Sequence, residues 1–156
     1  MTSHLDKKNR PKIVDISAKK QTIRIAKASG RINFTKNIFN KISSFKTKKG
    51  EIINIAIIAG IMGAKKTSEI IPLCHNIEIE NIDVKILPIK NSSSLKVISE
   101  VKSKGKTGVE MEALTAVSCA CLTIYDMCKS IDKQTTITNI RLLKKSGGKS
   151  GIINFE

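Results

Sequence analysis

Residues 109–131 carry only four charges, Glu110, Glu112, Asp126 and Lys129, in a chain with 28 lysines and arginines. The stretch holds no proline or glycine and reads as one long helix. At about 100° per residue, Leu114, Val117, Cys121, Ile124 and Cys128 form an apolar side, and Glu112, Thr115, Cys119, Asp126 and Lys129 fall together on the opposite one. The second side is polar but mostly small and uncharged. Such a face suits a partly buried cleft or an interface better than open water, so the fold has to be arranged around this helix. The material available is aliphatic: there is no tryptophan and aromatics make up 3% of the chain, which leaves Ile, Val, Leu, Ala and Cys to build a core. Asp126 and Lys129 are three residues apart. They are either a solvated ion pair or an acid/base pair in which each group tunes the other's pKa, and spacing alone leaves both open.

The rest of the chain supplies the remaining elements. Residues 21–34 read as a strand, 35–45 as a short helix, and 51–71 as a longer helix ended by Pro72. Residues 77–89 alternate like a strand, with a phase slip at Asn81 that predicts a bulge. A turn at 91–94 leads into a strand over 95–102, and a last strand follows the long helix at 136–144. Merging the two early helices gives βαββαβ, an α+β ferredoxin-like (split βαβ) antiparallel sheet with helices packed on one face. The 156 residues form one domain over 13–145, between a polar flexible tail at 1–12 and a Gly/Lys-rich tail at 146–156.

The net charge of +15 favours anionic partners: nucleic acid, acidic membrane or phosphorylated small molecules. Compositional drift toward Lys, Ile and Asn accounts for it equally well. Basic segments without interleaved aromatics weigh against a dedicated single-strand binder. The first residues lack an apolar signal region, and the apolar run at 52–64 is too short to cross a bilayer, so a soluble cytoplasmic protein with reduced cysteines is expected. With only two histidines, His4 and His75, and no C-x-x-C pair, no metal site is expected.

Three segments stand out as chemistry-bearing. Gly105-Lys106-Thr107-Gly108-Val109-Glu110 has T-x-x-E spacing, which predicts a capping box from Thr107 and Glu110 and an anion-friendly helix start. It is not a P-loop, since the glycine required five positions before Gly105 is Glu100. The run Ile71-Pro72-Leu73-Cys74-His75-Asn76 places a histidine in a loop at a helix end, where functional groups concentrate. Residues 144–151 combine flexible backbone with three lysines able to fold over a phosphate chain.

Taken together, these segments resemble the MoaC-type cyclic pyranopterin monophosphate synthases. The matching stretches are Val14-Asp15-Ile16-Ser17-Ala18-Lys19, the runs at 59–67 and 71–75, Gly105 through Thr115, Leu122 through Lys129, and Leu142 through Gly151, in the family's order across about residues 13–151. The resemblance implies a lyase of molybdenum cofactor biosynthesis. It converts the small molecule (8S)-3',8-cyclo-7,8-dihydroguanosine 5'-triphosphate to cyclic pyranopterin monophosphate with release of pyrophosphate. It implies Asp126, Lys129 and Lys49 as catalytic residues, and Leu73, Cys74, His75, Met111 and Glu112 as substrate-binding ones. Arg24, Lys145 and Lys149 are implied as basic residues on the phosphate side. No cofactor is implied, apart from Mg²⁺ as a companion of the triphosphate. The implied assembly is a homohexamer of dimers with sites at the dimer interface, and neither nucleic acid nor membrane is an expected partner. One departure is Asn76, where the family usually has proline after Leu-Cys-His. The competing expectation is a basic RNA-binding protein on a ferredoxin-like sheet, which would account for the charge directly but needs exposed aromatics on its strands.

Overall fold

The structure, a computed structural model, describes residues 4–6, 8–42, 46–47 and 50–155, with 46, 47 and 50 as backbone only. Two alternating strands set the centre of the sheet. In β1 (Thr22–Asn33), Ala26, Ala28 and Ile32 are buried; in β5 (Ser94–Gly105), Leu95, Val97 and Val101 are. They pair antiparallel without a break, from Thr22 opposite Gly105 to Asn33 opposite Ser94. Two very short strands, β2 (Lys46–Thr47) and β3 (Gly50–Glu51), form a separate ribbon. β4 (Asn81–Ile89) extends the main sheet beyond β5, β6 (Thr136–Gly148) lies on the far side of β1, and β7 (Gly151–Asn154) forms the last edge. The order β4-β5-β1-β6-β7 is antiparallel throughout. With helices packed on one face, it is the α+β ferredoxin-like arrangement that the element order implies.

The helical layer consists of α2 (Ile52–Lys65) and α4 (Glu110–Cys128), with α1 (Lys36–Lys41) and α3 (Thr67–Ile70) as short connectors. α4 buries Val117, Cys121, Ile124 and Cys128, as the periodicity predicts, together with Ala113, whereas Leu114, expected on the same side, is only partly buried. Each branched side chain buried there stabilises the fold by about 1.5–3 kcal/mol relative to exposure. Small residues let the layers approach. A Cβ on Gly30 of β1 would lie 2.7 Å from Val117 Cγ1, and one on Gly63 of α2 would lie 2.5 Å from Cys119 Sγ. Cys119 thus packs against α2, although the helical wheel assigns it to the polar side. Burial pushes the Cys121 thiol up to about 12 and the Cys128 thiol to about 11, so both act as small apolar side chains.

Several sequence expectations are corrected. The single helix expected over 51–71 breaks into α2 and α3 at Lys66, where the Thr67 hydroxyl donates to the Ala64 carbonyl at 2.9 Å and competes with the helical ladder. The bulge expected at Asn81 is absent: β4 begins there and runs in unbroken register with β5. The register shifts fall between β1 and β6 and between β6 and β7 instead. The helix start carries no capping box; its cap is Val109, with no side-chain cap bond, and Glu110 forms an ion pair with Lys145. The expected Gly/Lys tail is a β6–β7 hairpin, in which Gly147 and Gly151 take positive φ. The expected N-terminal tail is folded over residues 8–12 and 4–6. Asp6 accepts from the Lys8 and Arg10 amides at 2.7 and 2.9 Å, and Leu5 bridges to Pro11.

Gly63→Ala is expected to destabilise the fold by about 1–3 kcal/mol through overpacking against Cys119. Chemical denaturation of Gly63→Ala, Cys119→Ala and the double variant checks this. The double variant should recover part of the loss; strict additivity would show that the contact is not the cause.

Candidate functional site

The turn after α3, the start of α4 and the N-terminal segment enclose a cleft of about 240 Å³. It is lined by Leu73, Cys74 and His75 of the turn, by Met111 and Glu112 of α4, and by Val14, Ile16 and Lys19 of the N-terminal segment. The five residues expected to bind substrate are therefore brought together, although the two groups lie far apart in sequence. His75 Nε2 stands 2.7 Å from the Val14 carbonyl. A carbonyl only accepts, so the proton is on Nε2, and Nδ1 is the nitrogen left to meet other partners. Asn76, which replaces the usual proline, does not prevent this placement.

Glu112 is the most unusual group in the cleft. It is 3% exposed, and its Oε2 is buried without a hydrogen-bond partner. Burial raises its pKa above the ordinary 4.5, with the Glu110 charge adding to the effect. A buried carboxyl of this kind takes a proton more readily than a solvated one and presents an open hydrogen-bonding position to a ligand. Burial, with Glu112 beside it, also raises the Cys74 thiol, which disfavours the thiolate there.

A smaller cleft of about 80 Å³ adjoins the first, and Gly108 and Glu110 line both. Arg24 and Lys145 line it together with Gly148, Ser150 and Gly151 of the hairpin; Lys149 is exposed in the turn between Gly148 and Ser150. Lys145 Nζ is 3.3 Å from Glu110 Oε1. Arg24 donates from Nε and one terminal nitrogen to the Gly105 and Lys106 carbonyls, both at 3.4 Å. The sequence offers no signal for Glu110 as the partition between the clefts, because the helix-cap spacing accounts for it equally well. Nor is there a local signal for His4, which also lines the larger cleft.

Asp126 and Lys129 are not part of either cleft. They lie at the other end of α4, exposed, as an i,i+3 ion pair of 2.9 Å, and hydrogen bonding to Asp126 raises the Lys129 pKa. Asp126 lies fourteen positions after Glu112 on the helix, roughly 21 Å along the axis. Lys49 lies outside the described residues. Among the described residues, no three His, Cys, Asp or Glu side chains converge to hold a metal ion.

The raised pKa of Glu112 has a thermal signature. The unfolded chain loses this proton near the ordinary 4.5 and the folded chain only at higher pH, so the folded state binds more protons in between. The Glu112 contribution to stability is therefore lost as pH rises through that window. Glu112→Gln should remove the loss and raise Tm more at about pH 8 than at about pH 4. A pH-independent difference would contradict the assignment.

Comparison with known proteins places this geometry in a lineage. Residues 13–148 match the MoaC family. The chain is 53% identical over 154 residues to the cyclic pyranopterin monophosphate synthase of Helicobacter pylori strain G27, covering 99% of this chain and 98% of that protein. It is 54% identical over 149 residues to the protein of that name from Campylobacter jejuni subsp. jejuni serotype O:6, covering 96% and 95%. For the Clostridium acetobutylicum protein of that name the figures are 50% over 149 residues, 96% and 92%. A match over nearly the full length at this identity shows that the chain belongs to the MoaC family.

Proposed function

We propose that the chain is a cyclic pyranopterin monophosphate synthase of molybdenum cofactor biosynthesis. It acts on (8S)-3',8-cyclo-7,8-dihydroguanosine 5'-triphosphate and releases pyrophosphate. The observation that carries this reading is the pair of adjoining clefts, one with a buried acceptor-donor carboxyl and a histidine, the other basic. In the reading, Glu112, His75, Cys74, Leu73 and Met111 hold the ring system, with the orphaned Glu112 oxygen available to a ring N–H. Arg24, Lys145 and Lys149 face the phosphates, and cations there stabilise the negative charge that develops as pyrophosphate leaves. Mg²⁺ enters only as the companion of the triphosphate.

Ring opening, pterin closure and cyclic phosphate formation each need proton transfers, which the Asp126–Lys129 pair and Lys49 would supply. A single chain keeps that pair about 21 Å from Glu112, so the reading requires two copies at each site. The outer surface of α4 supports such a contact. Leu122 is 58% exposed, and the Ser118 and Thr123 hydroxyls donate to the Leu114 and Cys119 carbonyls at 2.9 and 2.8 Å, which lowers their demand for water. A twofold axis across this face would set one helix start near the other's end. We therefore read the protein as a cytoplasmic oligomer with shared sites, and the resemblance makes it a hexamer of dimers. The five strands of the main sheet carry no aromatic residue, which withholds base stacking from the RNA-binding alternative.

The direct test is a coupled assay in which the upstream radical enzyme supplies the cyclised nucleotide and the pterin product is oxidised and read by fluorescence. Asp126→Ala and Lys129→Ala should each lose at least about a hundredfold in turnover, the scale of general acid-base catalysis, while folding stays intact because both residues are exposed. Near-normal turnover in either variant would remove that residue from the chemistry. Mixed oligomers of Asp126→Ala and His75→Ala chains should regain activity at sites that receive both intact residues. A fully active monomer would contradict the shared site.

A further inference from the structure

The N-terminal segment that lines the larger cleft is held by two side chains from separate elements. His75, in the turn after α3, donates Nε2–H to the Val14 carbonyl at 2.7 Å. Lys106, in the turn before α4, donates from Nζ to the Ser17 carbonyl at 2.8 Å. Between these ties the segment folds on itself: Asp15 Oδ1 accepts from the Ser17 amide at 2.8 Å, and the Lys19 amide donates to the Ile16 carbonyl at 3.1 Å. Residues 12–21 are in no strand or helix, so nothing in the sheet ladder fixes them. Yet Val14, Ile16 and Lys19 line the cleft. A cation at the start of α4 would ordinarily be read as a phosphate ligand. Here the ammonium is engaged by a backbone carbonyl, and Lys106 lines neither the cleft holding Glu112 nor the basic cleft.

We propose that residues 13–20 form a strap that completes the substrate cleft, and that Lys106 is the positioning residue that holds it. This rests on the reading of the cleft as the substrate site. Lys106 acts on substrate affinity through the strap and not by contacting the phosphates. Arg24, by donating to the Lys106 carbonyl at 3.4 Å, supports the turn that presents it.

Lys106→Met keeps the apolar stem and removes the tie. Hydrogen exchange on the ligand-free protein reads the strap independently of catalysis. With the tie lost, the Ser17 and Lys19 amides should exchange about tenfold faster, equivalent to about 1.4 kcal/mol. Amides of α4 and β5 should be unchanged, which also confirms that the variant folds. His75→Gln places an amide nitrogen near the position of Nε2 and should keep strap protection, whereas His75→Asn should lose it. In turnover, Lys106→Met should raise KM about tenfold and leave kcat within about twofold, Lys106→Arg should restore KM, and pyrophosphate affinity should stay within about twofold. Unchanged strap exchange in Lys106→Met would overturn the proposal. So would a tenfold loss of pyrophosphate affinity, which would make Lys106 a phosphate ligand. If the unaltered chain has no synthase activity but the exchange results hold, the strap stands and the functional reading fails.

Discussion

The close contact of α4 with β1 on one side and α2 on the other is the constraint on which the molecule depends. With few aromatics, the core cannot fill wide gaps and must bring backbones near each other. Gly30 and Gly63 do this at Val117 and Cys119, and Ala113, Ala116 and Ala120 leave α4 narrow enough to be enclosed. By length and composition, Glu110–Cys128 is apolar enough to cross a membrane, but half of its most apolar window is buried in the fold. The same enclosure holds Glu112, in the first turn of the helix, below the surface and leaves its Oε2 without a partner. The chemistry at the start of α4 is in this sense a consequence of the packing along it.

Much of the architecture was legible from local patterns. β1, β5 and α4 were each readable because their burial is one-sided and their alternation or helical period is clean. The elements that escaped are those whose placement depends on long-range bonds. Nothing local in residues 146–155 distinguishes a loose basic tail from a hairpin; it is the pairing of β7 with β6 and the positive-φ glycines that decide. The N-terminal segment reads as a tail by polarity, yet Asp6 closes its first residues into a loop and Lys106 ties the rest. The capping box failed because Glu110 has a competing partner, Lys145, that arrives from β6.

The site was legible to a different degree. The resemblance named Leu73, Cys74, His75, Met111 and Glu112, and they share one cleft. Arg24 and Lys145 share the adjoining one. Spacing along α4 also showed that Asp126 and Glu112 could not meet within a chain. The burial of Glu112 was not legible, since on the helical wheel it lies with the polar residues. Only the folded chain reveals it as a buried carboxyl with a raised pKa. The role of Glu110 between the clefts was hidden for the same reason.

The two adjoining clefts, and not the general positive charge, determine what this protein does. The most direct measurement supplies the unaltered chain with the cyclised nucleotide at physiological salt, follows pyrophosphate and pterin together, and determines RNA binding under the same conditions. The account predicts pyrophosphate and pterin in equal amounts, both lost together in Glu112→Gln, with no RNA complex at that salt. RNA binding without either product would contradict it.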